Sequence, residues 1–435
     1  MTPSNQREQR GWYIYDWANS GFATTTIALF LGPYLTVLAK ASADTEGNIH
    51  AFGITMDARS YWSYLVSLSV ILQVLVLPVV GALADYGRRK KQYLGITAYT
   101  GAAAATAMFF LDGDRYLLGG GLFIIGNVMF GASIVVYNSF LPEIATREER
   151  DRVSSRGWGI GYLGGGTLLA LNLLLYLNAA KIGITEGMAV RISLGSSGIW
   201  WAIFTIPPLL TLRNRGSAHS LHALSAVRAS FRQLGTTIGH IRRYPQTLLF
   251  LAAFLLYNDA IQAVLAMASQ FGNDELKIPV GQLTLMMLMV QFVAFGGALL
   301  FNWLSARLGT RLAIAAGLLA WIATLLYIYA AVNSVKQLFI AAAVIGIVMG
   351  GTQALSRALF AQLIPKGREG EYFGIYEISD KGTSWLCPVI FGLALQFTKS
   401  YRLAVLSLVF FFIAGLIVLM RVNVAEGERE ALEVR

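Results

Sequence analysis

The apolar residues of this chain are gathered in stretches of about 18 to 25 residues, with short polar breaks between them. A helix of that length crosses the hydrocarbon core of a bilayer, which is about 30 Å thick. The pattern therefore predicts an all-α polytopic membrane protein with twelve transmembrane helices. These predicted spans, numbered 1 to 12 below, are 12–38, 61–84, 93–111, 116–141, 157–178, 194–212, 247–269, 281–304, 312–330, 337–361, 372–398 and 403–421.

Composition and charge agree with a membrane protein and predict its orientation. Hydrophobic residues make up 56% of the chain and charged residues 13%, and the mean hydropathy is +0.58. Of the 34 Lys and Arg residues, 23 lie on the side that holds both termini and nine on the other side. Positive loops favour the cytoplasm, so we expect cytoplasmic termini and a location in the cell (inner) membrane. The net charge of +10 is mostly this asymmetry, and we expect no nucleic-acid partner.

Several kinds of chemistry lack the residues they need. We expect no cleavable signal peptide, because the first apolar run is longer than the core of a signal peptide and has no small-residue cleavage site. Cys387 is the only cysteine, and all four histidines fall in predicted loops, so we expect no intramolecular disulfide, no metal site and no cofactor. No G-x-x-x-x-G-K-S/T, H-E-x-x-H or G-x-S-x-G motif is present, which argues against an ATP-driven pump and against an enzyme.

The chain divides in the middle. Residues 213–246 form its longest polar segment, within which apolar residues recur at steps of three and four, as in a helix at a membrane surface. We therefore predict an N-terminal six-helix bundle (1–212), a cytoplasmic amphipathic linker (213–246), a C-terminal six-helix bundle (247–421) and a cytoplasmic tail (422–435). The halves resemble each other weakly, since span 1 contains YDWA and span 7 contains YNDA, as expected of a transporter built from repeats.

The loop between spans 2 and 3 carries a recognisable motif. Residues 81–91 read GALADYGRRKK, which resembles the signature G-x-L-x-D-R-x-G-R-K of the major facilitator superfamily. Asp85, Arg89 and Lys90 stand in register with that signature, whereas Tyr86 stands where Arg is usual. An Asp near a helix end can bind an Arg or the amino end of a neighbouring helix. We therefore expect Asp85, Arg89 and Lys90 to act in gating.

A narrower resemblance runs along most of the chain. The segments YDWANSGFA (15–23), YNSFLPE (137–143), GYLGG (161–165), GGTQALSR (350–357) and FGIY (373–376) are similar to the autophagy-type vacuole-effluxer branch of that superfamily. The resemblance implies the major facilitator fold, with two six-helix bundles around a central cavity, spans 1, 4, 7 and 10 lining it, and spans 2, 5, 8 and 11 at the seam. It also implies efflux, because fungal members of the branch are associated with exporting amino acids from the vacuole.

Span 11 contains three ionisable residues, Glu377, Asp380 and Lys381. Lys381 is expected roughly 14 Å along the helix axis, close to the middle of the bilayer. A charged side chain there costs about 2.5 to 3.5 kcal/mol against lipid, so these residues should face a solute pathway or one another. Glu377 and Lys381 are also spaced i, i+4, and a purely structural ion pair between them is the alternative.

Other polar residues fall inside spans. Those expected near mid-membrane as substrate or proton ligands are Asp259, Asn127, Gln73 and Gln291, and those expected at an inner gate are Asp16, Asn19 and Arg357. Hydrogen bonds between helices use the same side chains and are the competing interpretation. The glycines at 161, 164, 165 and 166 predict close packing of span 5 on a neighbouring helix.

These features predict a secondary transporter that works by alternating access. A zwitterion needs a carboxylate for its ammonium group and a cation for its own carboxylate, and Asp259, with Glu377 or Asp380, and Lys381 would supply both. Amino acids are the leading substrate class, and the same carboxylates could carry protons. The partners expected are a small-molecule substrate and membrane lipids, and the protein should work as a monomer. A drug or sugar-like solute exporter and a non-transporting membrane scaffold are the alternatives.

Overall fold

The chain divides into two structural units, Met1–Phe231 and Arg232–Arg435. The computed structural model describes residues 3–51, 53–86, 89–145, 150–214, 244–364, 376 and 384–433. The division falls within the predicted linker 213–246, of which residues 215–243 lie outside the described part of the chain. The four-region division therefore stays a prediction.

The first unit is built from helices and one small hairpin. Its α-helices are Pro3–Gly21, Leu31–Ala41, Tyr61–Tyr86, Lys90–Ala107, Tyr116–Asn138, Leu141–Ile144, Arg150–Asn178 and Glu186–Thr211. A π-helix, Phe22–Phe30, joins the first two, so span 1 is one helix that begins well before residue 12. A short 3₁₀ turn, Met108–Phe110, ends span 3.

The second unit is helical throughout its described part. Its α-helices are Pro245–Gln270, Val280–Leu308, Thr310–Ala331, Val335–Gln362, Leu386–Thr398, Tyr401–Met420 and Val424–Glu433, and a π-helix, Phe271–Glu275, continues the first of them. The helix Val424–Glu433 lies in the predicted tail. There Glu430 Oε2 accepts a 3.2 Å hydrogen bond from the backbone N–H of Gln246, at the amino end of span 7. The tail helix thus satisfies one of the amides that the first turn of a helix leaves unpaired.

Ten helices in the described part of the chain are long and apolar enough to cross a membrane. The helix of predicted span 3, Lys90–Ala107, is not among them because it begins with two lysines and a glutamine and is otherwise rich in Ala, Thr and Gly. The described part of span 11, Leu386–Thr398, is a shorter apolar helix. The multi-pass membrane fold is confirmed, whereas the count of twelve spans stays a prediction.

Two features of the first unit were not predicted. Strands Asn48–Ala51 and Ile54–Asp57 form an antiparallel hairpin between spans 1 and 2. The π-helix Phe22–Phe30 contains Thr24, whose hydroxyl hydrogen-bonds the carbonyl of Ser20 at 2.9 Å. The spans were predicted from the length of apolar stretches, a signal that does not detect a short hairpin and does not distinguish a π-helix from an α-helix.

Glycines bring spans 1 and 5 into close contact. A Cβ on Gly164 would lie 2.5 Å from the carbonyl oxygen of Trp17, and one on Gly165 would lie 2.9 Å from Thr24 Cγ2. The prediction of close packing is therefore confirmed at 161, 164 and 165. At Gly166 an added Cβ would meet no atom of the described residues within 4 Å, because residue 166 lies on another face of the helix, so close packing there stays a prediction.

Candidate functional site

In the second unit, the candidate site is centred on Asp259. This residue lies near the middle of helix Pro245–Gln270, and its side chain is buried, with 2% of its surface exposed. Its Oδ2 accepts a 3.1 Å hydrogen bond from the backbone N–H of Cys387. Its Oδ1 has no hydrogen-bond partner among the described residues. A buried carboxylate oxygen without a donor is costly, so this atom is a candidate to bind a proton or a cationic group.

The partner of Asp259 is the amino end of a helix. Cys387 is the second residue of helix Leu386–Thr398, and the first-turn amides of a helix have no partner within it. The positive end of the helix dipole also favours a carboxylate at this position. Asp259 of span 7 is thereby tied to span 11, the span whose sequence contains Glu377, Asp380 and Lys381. These three residues lie outside the described part of the chain.

Spans 7 and 10 meet through hydroxyl groups and aromatic rings. The hydroxyls of Tyr257 and Ser356 hydrogen-bond each other at 2.6 Å, and both side chains are buried. Tyr376 packs between the rings of Phe254 and Phe360, with centroid distances of 4.4 and 5.0 Å. The residue before Glu377 is therefore held between these two spans.

In the first unit, Asp16 of span 1 is a carboxylate with a buried partner. Its Oδ2 accepts a 2.7 Å hydrogen bond from the hydroxyl of Tyr137, near the end of span 4. The Tyr137 ring stacks on Trp12 with a centroid distance of 4.3 Å. The Trp12 indole N–H in turn donates a 3.0 Å bond to the carbonyl of Tyr137. Spans 1 and 4 are therefore joined by a buried aromatic and polar cluster around this carboxylate.

Span 5 leaves space for Asp16. A Cβ on Gly157 would lie 2.6 Å from Asp16 Oδ2, and one on Gly161 would lie 3.3 Å from Asp16 Cβ. The carboxylate thus lies against the glycine face of span 5. In each unit, then, an Asp of the first span contacts the fifth span of the same unit, at Gly157 in one and at Cys387 in the other.

Asn19 lies one turn after Asp16. It is buried, and its Nδ2 has no hydrogen-bond partner within the described residues. Asp16 and Asn19 are three residues apart in one helix, so they lie on the same side of it. A gating role for them stays a prediction.

Gln73 and Asn127 join spans 2 and 4. Gln73 Nε2 donates a 2.8 Å hydrogen bond to the carbonyl of Asn127, and Asn127 Nδ2 donates one of 2.8 Å to Ser69 Oγ. Both side chains are buried. These bonds are of the kind that holds two membrane helices together. They favour the structural interpretation of Gln73 and Asn127, while a part in substrate binding remains a prediction.

The remaining candidates are distributed along the two units. Gln291 and Arg357 are half-buried in helices Val280–Leu308 and Val335–Gln362, and Arg89 is exposed. Asp85 is described only by its backbone, near the end of helix Tyr61–Tyr86. The structure does not bring these four residues to Asp16 or Asp259 through any described contact.

Lys90 has a partner that was not predicted. Its Nζ lies 2.6 Å from Glu143 Oε1 and donates a 3.2 Å hydrogen bond to the carbonyl of Ser139. It also lies 5.9 Å from the ring centroid of Phe140. The motif between spans 2 and 3 is thus linked to the YNSFLPE segment after span 4. Both segments stood out in the sequence, but no local pattern indicated that they meet.

Candidate groups that the sequence analysis did not name are the side chains of Tyr137 and Glu143 and the backbone amide of Cys387. Tyr137 and Glu143 lie in a segment that carried the family resemblance, which was the available signal. The amide of Cys387 could not have been found, because any residue at that helix end would supply the same group. Among the described residues no three His, Cys, Asp or Glu side chains come together as metal ligands.

These helices are those of a multi-pass membrane protein. The chain resembles solved structures along nearly its whole length. A mutant of the nucleoside transporter NupG superposes with a TM-score of 0.67 at 13% identity, covering 96% of this chain and 99% of that one. A bacterial homolog of the human lysosomal transporter Spinster, in an inward-facing and occupied conformation, gives 0.66 at 11% identity, with coverages of 99% and 97%. At this identity the likeness shows the fold alone, which is that of the major facilitator superfamily.

Sequence comparison gives the family. The chain matches the family model described as "Vacuole effluxer Atg22 like" over residues 4–432 and belongs to that family. It is 28% identical over 416 residues to an uncharacterized MFS-type transporter, YxiO, of Bacillus subtilis, covering 95% of this chain and 94% of that one. It is 25% identical over 548 residues to autophagy-related protein 22-1 of Penicillium rubens, with coverages of 99% and 92%. The resemblance predicted from the sequence is confirmed, and the protein is a transporter of this fold.

Proposed function

We propose that this protein exports small zwitterions, with amino acids as the leading class, by alternating access in the cell membrane. The observation that supports this best is Asp259, a carboxylate buried near the middle of a spanning helix with Oδ1 unpartnered among the described residues. An ammonium group is a ligand that such an oxygen can bind. A hydrogen-bonded ion pair removes the cost of leaving the buried carboxylate without a partner.

The contact between Asp259 and Cys387 supports a second subsite. It ties Asp259 to span 11, in which Lys381 lies six residues before Cys387. A substrate carboxylate would bind Lys381, while Glu377 or Asp380 would assist Asp259 with the ammonium group. This division of roles follows the sequence prediction, because Glu377, Asp380 and Lys381 lie outside the described residues.

The direction and the energy source are also part of the proposal. The family description names an effluxer, and this favours outward movement. The sequence has no nucleotide-binding motif, so we propose that a proton gradient drives transport through the same carboxylates. Asp16 and Asn19, with Tyr137, would form the inner gate. The protein would work as a monomer with both termini in the cytoplasm.

Substrate binding to purified protein tests the proposal. Tryptophan fluorescence or isothermal calorimetry would be recorded with the twenty amino acids, common sugars and nucleosides, on wild type and on Asp259→Asn. We expect an amino acid to bind wild type and the variant to bind it at least about tenfold more weakly, since a buried charged hydrogen bond contributes about 1.5 to 3 kcal/mol.

Asp114→Asn is the matched control, because Asp114 is an exposed carboxylate in the loop between spans 3 and 4. It should bind like wild type. Binding of sugars or nucleosides in place of amino acids would contradict the substrate class. Equal affinity of wild type and Asp259→Asn would remove Asp259 from the site.

A further inference from the structure

We propose that the first unit binds an anionic phospholipid in a basic groove between the beginning of span 1 and the end of span 6. The groove has two adjoining parts that share Arg7 and Thr211. One has a volume of about 380 Å³ and the other about 290 Å³. Their polar lining includes four cations, which are Arg7, Arg10, Lys91 and Arg213. We call this the Arg7 groove.

The four cations of the Arg7 groove have no acidic partner among the described residues. Within the described part of the chain, none of their side chains makes an ion pair or a hydrogen bond. Glu8 is the only acid among the described lining residues, and it is buried, with 1% of its surface exposed. Four cations facing one concavity repel one another unless an anion lies between them. Arginine binds phosphate oxygens with two parallel hydrogen bonds, so a phosphodiester fits this lining.

The groove exists because two helices approach closely beside it. A Cβ on Gly11 would lie 3.5 Å from the backbone of Pro208, and Gly11 also contacts the side chain of Thr211. At this crossing, Arg7 and Arg10 project from span 1 beside the carboxyl end of helix Glu186–Thr211. The backbone of Lys91 is held nearby, since its N–H donates a 2.9 Å hydrogen bond to Asn214 Oδ1. The basic lining is therefore set by the fold of the unit.

The surface next to the Arg7 groove indicates a lipid rather than a soluble phosphate. Exposed apolar side chains follow one face of span 6 at steps of three and four, which are Ile199, Ile203, Ile206 and Leu210. Leu210 lines the groove itself and is 73% exposed. A lipid whose phosphate lay in the groove could place its acyl chains along this face. The groove is on the side that the Lys and Arg count predicts to be cytoplasmic, where anionic lipids attract basic segments.

Native mass spectrometry of the purified, full-length protein tests the proposal. Binding of phosphatidylglycerol would be compared with that of phosphatidylcholine and of sn-glycerol 3-phosphate, in wild type and in Arg7→Gln/Arg10→Gln. We expect wild type to prefer phosphatidylglycerol and the double variant to bind it at least about tenfold more weakly, as two cations near a membrane surface imply. Glycerol phosphate should bind far more weakly than the lipid because it lacks acyl chains.

The matched control is Arg156→Gln/Arg421→Gln, which removes two exposed cations on the same predicted side but outside the groove. It should bind phosphatidylglycerol like wild type. Equal loss in the control and the groove variant, or no preference for the anionic lipid in wild type, would overturn the site. If glycerol phosphate binds as tightly as phosphatidylglycerol, the groove is a site for a soluble anion, and the lipid proposal is overturned.

A second pair of variants tests the acyl path and does not depend on the first. Leu210→Ser should lower phosphatidylglycerol affinity several-fold, whereas Leu248→Ser, at an exposed position on span 7, should leave it unchanged. Unchanged affinity in Leu210→Ser would contradict the placement of the acyl chains. If the double Arg variant does not fold, Arg7→Gln and Arg10→Gln are measured singly. Retention of full affinity in both would overturn the groove.

Discussion

The hydroxyl of Tyr137 donates a 2.7 Å hydrogen bond to Oδ2 of Asp16 and so links span 4 to span 1. Because Asp16 also lies against Gly157 of span 5, three helices of the first unit converge on one carboxylate. If span 1 and span 4 move relative to each other, this hydrogen bond must break. If they move together, it can stay intact. We therefore propose that this pair takes part in an inner gate.

The first prediction concerns this hydrogen bond. Tyr137→Phe keeps the ring stacked on Trp12 but removes the donor to Asp16, a bond worth about 1.5 to 3 kcal/mol when the acceptor is charged. We expect the maximal transport rate of reconstituted protein to change at least threefold with substrate affinity nearly constant. Tyr99→Phe, at an exposed tyrosine of span 3, is the control. A fall in affinity with an unchanged rate would assign Tyr137 to substrate binding instead.

The second prediction concerns the 2.6 Å contact between Lys90 Nζ and Glu143 Oε1. Lys90 is only 9% exposed and Glu143 only 19%, so removal of one partner leaves a charge with little access to water. Lys90→Met and Glu143→Gln should each lower stability by about 2 kcal/mol. The charge swap Lys90→Glu/Glu143→Lys should recover part of this loss.

Thermal unfolding in detergent would measure these changes, with Arg89→Met as the control because Arg89 is exposed. If Arg89→Met loses as much stability as Lys90→Met, any change of charge in this loop is destabilising. The effect would then not be specific to the Lys90–Glu143 pair. A swap that is no more stable than the single variants would also contradict the pairing.

Features that depend on one short stretch of sequence could be predicted, whereas contacts between distant stretches could not. Hydrophobic stretches of about 20 residues predicted the membrane helices, and motifs predicted the family. The pairing of Lys90 with Glu143 joins segments 53 residues apart, and the contact of Asp259 with Cys387 joins segments 128 residues apart. Such contacts depend on how the helices pack, which no local pattern encodes.

The expected depth of a residue along its helix did not identify which polar residues are candidates for substrate binding. Gln73, Asn127 and Asp259 were all expected near mid-membrane, and all three are buried. Depth could not distinguish the first two, which bond to each other's helix, from Asp259, whose Oδ1 has no partner among the described residues. The direction of each side chain around the helix decides between these outcomes, and that direction depends on tertiary packing.

The third prediction separates two neighbouring glycines of span 5. Gly164→Ala places a Cβ 2.5 Å from the Trp17 carbonyl oxygen, whereas Gly166→Ala meets no atom of the described part of the chain within 4 Å. The first change should force spans 1 and 5 apart and cost about 1 to 3 kcal/mol. The second should be neutral or should stabilise the helix by up to about 1 kcal/mol. The melting temperature of each variant would be compared with that of the wild type. Equal shifts in the two variants would contradict this packing.

The fourth prediction concerns orientation. The excess of Lys and Arg on the side of the termini predicts that reporters fused after Leu111 and Lys181 lie outside the cell. Reporters fused after Arg89 and Arg228 should lie in the cytoplasm. A phosphatase active only outside and a fluorescent protein bright only inside would be fused at each site. Reversed signals would discard the orientation and move the Arg7 groove to the outer leaflet.

The last prediction separates a substrate site from a structural ion pair in span 11. If Glu377 and Lys381 only neutralise each other, removing both charges should restore what either single change loses, because an uncompensated buried charge is the costly species. If they bind substrate, the double variant should stay inactive. We expect Glu377→Gln, Lys381→Met and the double variant all to reach the membrane, and the double variant to show less than about a tenth of wild-type transport. Near-normal transport by the double variant would make the pair structural and leave Asp259 as the main candidate for the ammonium subsite.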